Sequence, residues 1–510
     1  MIYLVGLLLS VASFFLQTWP RFGNRYFGVD TWRHLAMADF YRRKRRDPSA
    51  RFDRYLIPEP SDYPPMLRWL LSLFPRRLLE RSQWLVSPLF DFMHSFLVFA
   101  VAYSFTGNVW ASLAAQAAYI LAPIVVLANS SLTTRPLASL TFTALILTEL
   151  AFTASGNWIW FPASLVAGTM LFLTHRMALQ ALTVATIALS LFFLTPYYAL
   201  AFLGSWLLAI VASGGLYWRV FKGHLAMLNW WRGNIHNRFA HQIRGLPKTS
   251  DESADPVFKI YQYLRKAPFL AVFSANAFVV FAILAAVNQA LDFEVAGPVT
   301  WQRELEFLLV LALSLLGAGI LIRQIKSLEF IGEGERYGEY GVFPTALVIA
   351  GLVSTADPAW GTALAVAFIV VALLGGLAPA LFLQYRVVVR DIDRSVTTEL
   401  MRIMAELSSL EQQARLMTIP LGLADPALHF STAKVLSTDS SLGHLNHYDD
   451  FFPVLQVPIT EIFARWDIDH LLINENYVRL EELGLDETTV RLRSGNFCLL
   501  NVGAGKEPQS

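Results

Sequence analysis

Residues 84–129 read WLVSPLFDFMHSFLVFAVAYSFTGNVWASLAAQAAYILAPIVVLAN. Two apolar runs, 84–106 and 109–129, are separated by Gly107 and Asn108 alone, and Asp91 is the one formal charge in them. Each run has about the 20 residues that a helix needs to cross about 30 Å of hydrocarbon. The pair therefore predicts a tight helical hairpin inside a bilayer. The same pattern recurs outward in both directions. Met1 to Trp19 is a span without a basic leader or a small-residue cleavage site, so it is expected to be retained. Further spans are expected near 137–155, 158–174, 177–195, 197–216, 267–289, 305–322, 341–356 and 361–385. The fold class is thus a polytopic α-helical membrane protein with about eleven transmembrane helices.

Composition agrees. Of 510 residues, 55% are apolar and 15% charged, against about 25% charged in a soluble domain. A soluble globular enzyme, a fibrous protein and a disordered chain are excluded. The lone Cys498 cannot form an internal disulfide. From Arg390 onward the pattern changes. Residues 391–416 show helical periodicity, and Lys434–Thr438, His470–Asn474 and Phe497–Val502 read as strands. The expected organisation is a transmembrane domain over 1–389, with a first long loop at 20–83, and a small soluble α/β domain over 390–510.

Charge is one-sided. If each span reverses the chain, one side receives 20–83, 130–136, 174–177, 217–266, 323–340 and the C-terminal domain. The 20–83 loop alone holds fourteen Lys and Arg residues. Charge counting alone would place this face in the cytoplasm, but that rule weakens for long loops that fold. A basic face equally suits phosphate-bearing lipids.

Four segments on that face carry candidate chemistry. Phe27-Gly28-Val29-Asp30-Thr31-Trp32-Arg33-His34-Leu35 sets a carboxylate, a guanidinium and an imidazole within five residues. Asp30 could deprotonate an acceptor hydroxyl or hold a metal, or it could cap a helix. Asp62-Tyr63-Pro64-Pro65 opens an amphipathic stretch with Arg68 and Trp69, read as a helix in the membrane interface. Thr174-His175-Arg176, and Arg135 in Thr133-Thr134-Arg135-Pro136, place ionisable groups at span ends, where they act or snorkel. Gly332-Glu333-Gly334-Glu335-Arg336-Tyr337-Gly338-Glu339-Tyr340 offers a planar fork for phosphate oxygens at Arg336. Asp91 and His94 read as a polar pair between helices. His444, His447, Asp449 and Asp450 could bind metal, but at a spacing that fits no zinc template.

Taken in chain order along residues 1–385, the segments at 28–35, 63–65, 133–136, 173–176 and 335–340 resemble the GT-C superfamily of membrane glycosyltransferases, which use polyprenyl-phosphate-linked sugars. The resemblance implies an inverting glycosyltransferase, with Asp30 as catalytic base. It also implies that Arg336, Arg176 and Arg135 bind the donor phosphate, and that His34, Arg33, Tyr63, His175 and Tyr337 contact substrate. It puts the first loop and the C-terminal domain on the periplasmic or extracellular face of the plasma (inner) membrane. Expected partners are a polyprenyl-phosphate sugar donor, a glycan, lipid or protein acceptor, and membrane lipids, with no nucleic acid. Oligosaccharyltransferase members complete a metal site with acidic residues in a second external loop. Residues 130–136 have none, which favours a metal-free mechanism over one using a divalent cation such as Mg or Mn. The competing readings are a lipid-linked sugar flippase or transporter, and a polysaccharide polymerase or ligase. A flippase predicts polar residues through mid-membrane, whereas these are few, chiefly Asp91, His94 and Glu149.

Overall fold

A computed structural model describes residues 2–28, 30–47, 50–57, 63–238, 240–245, 267–291, 295–297, 299–391, 394–410, 412–438, 445 and 447–503. The chain divides into two compact units. One comprises 1–25, 82–212 and 255–390; the other comprises 26–81, 213–254 and 391–510.

The first unit is helical, and its side chains are arranged for an apolar solvent. The Ile2–Thr18 helix buries Gly6, Ser10, Ser13 and Gln17, and turns Leu4, Leu8 and Phe15 outward. That is the reverse of a soluble helix and matches a bilayer, where small and polar residues mediate helix contacts. The buried face joins an interhelical network. Gln17 Nε2 donates to Asp91, and Tyr119 Oη donates to Asp91 Oδ1 at 2.7 Å. The two nitrogens of His94 lie 2.7 Å from Tyr119 Oη and 2.8 Å from Thr143 Oγ1. Asp91 and His94 thus hold helices together, as expected of a polar pair. The hairpin at 107–108 forms as its residues dictate. Gly107 takes a left-handed φ of 61°, and Asn108 Oδ1 caps the next helix by accepting from Trp110 N at 2.9 Å.

Among the described residues, six helices are long and apolar enough to cross a membrane, and three bent pairs raise the number to nine. Two of the eleven expected spans do not meet that requirement. The 158–174 run yields a helix of 13 residues, Trp160–Phe172, about 20 Å long at 1.5 Å per residue. The 341–356 run lies within a longer helix, Glu335–Ser354, whose first turns carry Glu335, Arg336 and Glu339. The 109–129 run is itself bent by 58° between Ile120 and Pro123.

The second unit is built on a five-stranded sheet: β1 Arg415–Ile419, β2 Lys434–Val435, β3 His470–Asn474, β4 Val490–Ser494 and β5 Phe497–Asn501. Strand order is β2-β1-β3-β5-β4; β2, β1 and β3 are parallel, while β5 pairs antiparallel with β3 and β4. All of β3 is buried, as a strand covered on both faces should be. Met417, Ile473 and Leu500 pack with Ile462 and Phe463 of the Ile459–Trp466 helix. The helix expected over 391–416 is shorter, Thr398–Ser409. Arg415 already starts β1, because Leu-Met-Thr-Ile is an apolar run stopped by Pro420. The strand expected at Lys434–Thr438 keeps only its first two residues.

Segments of the first long loop complete this unit. Leu56 N donates to Val435 O and Val435 N to Arg54 O, both at 2.9 Å. The Arg54 guanidinium donates to the carbonyls of Ser431 and Ala433 at 2.8 and 2.7 Å. These groups follow the Ala424–Phe430 helix, where a cation meets the negative end of the helix dipole.

Candidate active site

In the second unit, Thr31–Arg43 forms a helix with Asp30 at its N-terminal boundary. Gly28 permits the tight entry, because a Cβ there would lie 2.3 Å from Thr31 Oγ1. Asp30 does not act as a cap: no backbone N–H bonds its side chain. Instead its Oδ1 lies 3.1 Å from Arg33 Nη2. The carboxylate is 36% exposed and the guanidinium 5%. The pair is a carboxylate at a rim with a buried cation behind it.

His34 and Arg68 are also buried. Arg68 Nε donates to His34 Nδ1 at 3.3 Å, and its guanidinium lies 4.6 Å from the centre of the Tyr63 ring. Tyr63 and His34 meet edge-on at 5.8 Å. A short helix does follow Tyr63, Met66–Leu71, and it buries Leu67 and Arg68. Arg68 is therefore a member of the cluster and not a membrane anchor. Asp62 lies outside the described residues.

One member was not anticipated. Asp425, in the Ala424–Phe430 helix, is buried. Desolvation, with help from the charge of Asp30, pushes its carboxyl up to about 7, against the pull of Arg33 and Arg68. Burial works against the Arg33 cation, but Asp425 and then Asp30 more than offset it and hold Arg33 above the usual arginine range. Burial and the neighbouring Arg33 lower Arg68. Two carboxyls and two guanidiniums thus share one buried region, and the environment favours a proton on Asp425 near neutral pH. The available signal was a single acid in the apolar run Leu416–Leu428, just past a strand end.

In the first unit, the Glu335–Ser354 helix gathers the other expected residues. It packs closely: a Cβ on Gly334 would lie 2.2 Å from Gly319 O. Arg135 Nε donates to Glu339 Oε2 at 2.9 Å, and Ser139 Oγ donates to Oε1 at 3.4 Å. Arg135 is therefore already matched to a buried carboxylate. His175 is buried, with Nδ1 3.3 Å from Tyr340 Oη. Arg176, buried, opens the Arg176–Phe193 helix, so neither residue snorkels. Tyr337 Oη donates to Gln180 Oε1 at 3.1 Å. Arg336 pairs with Glu333 at 2.8 Å, both side chains about one-third exposed.

Among the described residues, no group of three or more His, Cys, Asp or Glu is placed to hold an ion. The Asp30 and Asp425 carboxyls also lie in the field of Arg33, which disfavours a further cation. His444 lies outside the described residues. Asp449 accepts from Trp230 Nε1 at 2.8 Å, and Asp450 pairs with Arg465.

No known family profile matches the sequence, and no curated protein matches it. Solved structures do. ArnT from Cupriavidus metallidurans in the apo state aligns over 99% of each chain, with TM-score 0.58 and 12% identity. The same protein bound to undecaprenyl phosphate aligns over 98% of this chain and 99% of that one, with TM-score 0.55 and 13% identity. The archaeal oligosaccharyltransferase AglB from Archaeoglobus fulgidus, in complex with an inhibitory peptide and a dolichol-phosphate, covers all of this chain and is itself covered to 74%, with TM-score 0.55 and 10% identity. At these identities the likeness is one of architecture: the chain shares the fold of these structures.

Proposed function

We propose that the chain is an integral-membrane glycosyltransferase that moves a sugar from a polyprenyl-phosphate donor to an acceptor hydroxyl or amide, with inversion. The observation that carries this reading is the Asp30–Arg33 pair, an accessible carboxylate on a buried cationic base, in a chain with the GT-C fold. The structures with that fold include ones holding undecaprenyl phosphate and a dolichol-phosphate.

In the proposed reaction Asp30 takes the proton of the acceptor hydroxyl. The acceptor oxygen forms a bond to the anomeric carbon as the bond from that carbon to the phosphate oxygen breaks. The electron pair leaves with the polyprenyl phosphate, and arginine stabilises the charge that develops there. Arg336 suits that role best, since its side chain stays about one-third open beside Glu333; Arg176 and Arg135 assist. Arg33, His34, Tyr63, His175 and Tyr337 contact substrate. Arg33 holds the Asp30 carboxylate in place, and Asp425 carries a proton beside it. The active face is periplasmic or extracellular, at the plasma membrane, with the 390–510 region on that face.

The test is to reconstitute the chain in liposomes with a polyprenyl-phosphate sugar and an acceptor extract, and to measure release of polyprenyl phosphate. Release coupled to sugar on the acceptor supports a transferase. Movement of intact donor between leaflets, with no cleavage, supports the flippase reading instead. Arg336→Ala should weaken donor binding; unchanged donor affinity removes its phosphate role.

A further inference from the structure

The second unit contains a cavity of about 550 Å³, within the size range of small-molecule sites. Its position follows from the sheet. β1 leads to β2 on one side, and β3 then returns to the other side of β1. The crossover direction reverses between β1 and β3, and in open parallel sheets the crevice beyond the carboxyl ends of two such strands is where ligands bind. The cavity lies there. Pro420 and Gly422 follow β1, and Asn476 and Tyr477 follow β3; all four line it.

Its walls are held firmly. Asn474 Oδ1 accepts from Asn476 N at 3.0 Å, and Asn474 O accepts from Tyr477 N at 2.8 Å. This turn presents Asn476, whose side chain is exposed, and Tyr477. Tyr477 is fixed three ways: its ring stacks on His241 at 4.0 Å, its carbonyl lies 2.8 Å from His241 Nε2, and its hydroxyl accepts from Gln242 N at 2.8 Å.

The chemistry selects a ligand class. Amides and hydroxyls both donate and accept, which matches ligand hydroxyls. Leu423 and Val396 supply an apolar wall for C–H faces. The charged lining residues Asp391 and Arg394 pair with each other at 3.4 Å. An anion is disfavoured, since this pairing leaves the described lining without net charge.

We propose that this cavity is a saccharide-binding site for a neutral, hydroxyl-rich group. Its assignment as the acceptor-sugar site rests on the transferase reading; saccharide binding itself does not.

The experiment uses the full chain in detergent, with saturation-transfer NMR against maltose, cellobiose and chitobiose, and inorganic phosphate as competitor. At least one disaccharide should bind. Gly422→Trp should abolish binding, because a Cβ at Gly422 meets no atom within 4 Å and the added ring fills open space. Asn476→Ala should weaken binding about three- to tenfold, the loss of one hydrogen bond. The proposal is overturned if no disaccharide binds the wild-type chain. It is equally overturned if Asn476→Ala and a folded Gly422→Trp bind as the wild type does, or if phosphate competes. Donor cleavage, measured in parallel without acceptor, reports on the transferase reading separately. A raised acceptor KM with unchanged donor cleavage in both variants supports the acceptor role. An unchanged acceptor KM removes that role and leaves saccharide binding to be judged by NMR alone.

Discussion

The carboxylate of Asp30 lies 3.1 Å from the guanidinium of Arg33, one turn into the helix it precedes. The carboxylate is partly open and the guanidinium is not. An exposed carboxylate alone would be a solvated surface charge. With a buried arginine fixed behind it, the carboxylate is held in one orientation. Asp425 adds a second carboxyl to the same buried region.

Asp425 makes stability depend on pH. Its folded-state value, about 7, lies above the unfolded value of about 3.9. Between those values the folded chain holds a proton that the unfolded chain has released. Stability therefore falls as pH rises from about 4 to about 7, and this contribution is level above that. The slope is at most about 1.4 kcal/mol per pH unit. Asp425→Asn should flatten the dependence and be the more stable form at pH 8. Thermal midpoints of both proteins between pH 5 and pH 8 check this; parallel curves would contradict it.

Arg135 and Glu339 should behave as a buried pair. Arg135→Met leaves the Glu339 carboxylate without its partner and is expected to cost about 3–5 kcal/mol. Arg135→Met combined with Glu339→Leu removes both charges and should recover most of that loss. Unfolding midpoints without donor lipid decide the matter. If Arg135→Met alone leaves the midpoint unchanged, the pair contributes nothing to the fold.

Arg54 ties the first long loop to β2 and the Ala424–Phe430 helix. Arg54→Ala removes donors from the carbonyls of Ser431 and Ala433, at a cost of about 1–3 kcal/mol. Limited proteolysis should show earlier cleavage within 50–57, where the wild-type segment is hydrogen-bonded to β2. An unchanged cleavage pattern would contradict the contact's importance.

The membrane helices were legible because a bilayer imposes length and hydropathy on each one separately. The hairpin at Gly107-Asn108 needed only local residues. Trp160–Phe172 is shorter than its apolar run because Trp158-Ile159 and Leu173-Thr174, which hydropathy alone assigns to the helix, form turns at its two ends. The candidate site was legible only in part. Helical spacing sets Asp30 about one turn from both Arg33 and His34; packing makes Arg33 its partner and gives His34 to Arg68. Asp425 and Arg68 reach the same region through packing between distant segments, and no local period encodes that. Glu339 looked like one charge among several in a polar segment; its link to Arg135 depends on how two helices pack. β1 was hidden because only residues 410–414, LEQQA, separate it from the Thr398–Ser409 helix, and that stretch reads as the helix's continuation.

Single-turnover sugar transfer by Asp30→Asn, with saturating polyprenyl-phosphate donor, bears on the base itself. If Asp30 takes the acceptor proton, the rate should fall by about 10²–10⁴-fold, with donor binding and thermal midpoint close to wild type. A rate within twofold of wild type would show that the proton goes elsewhere.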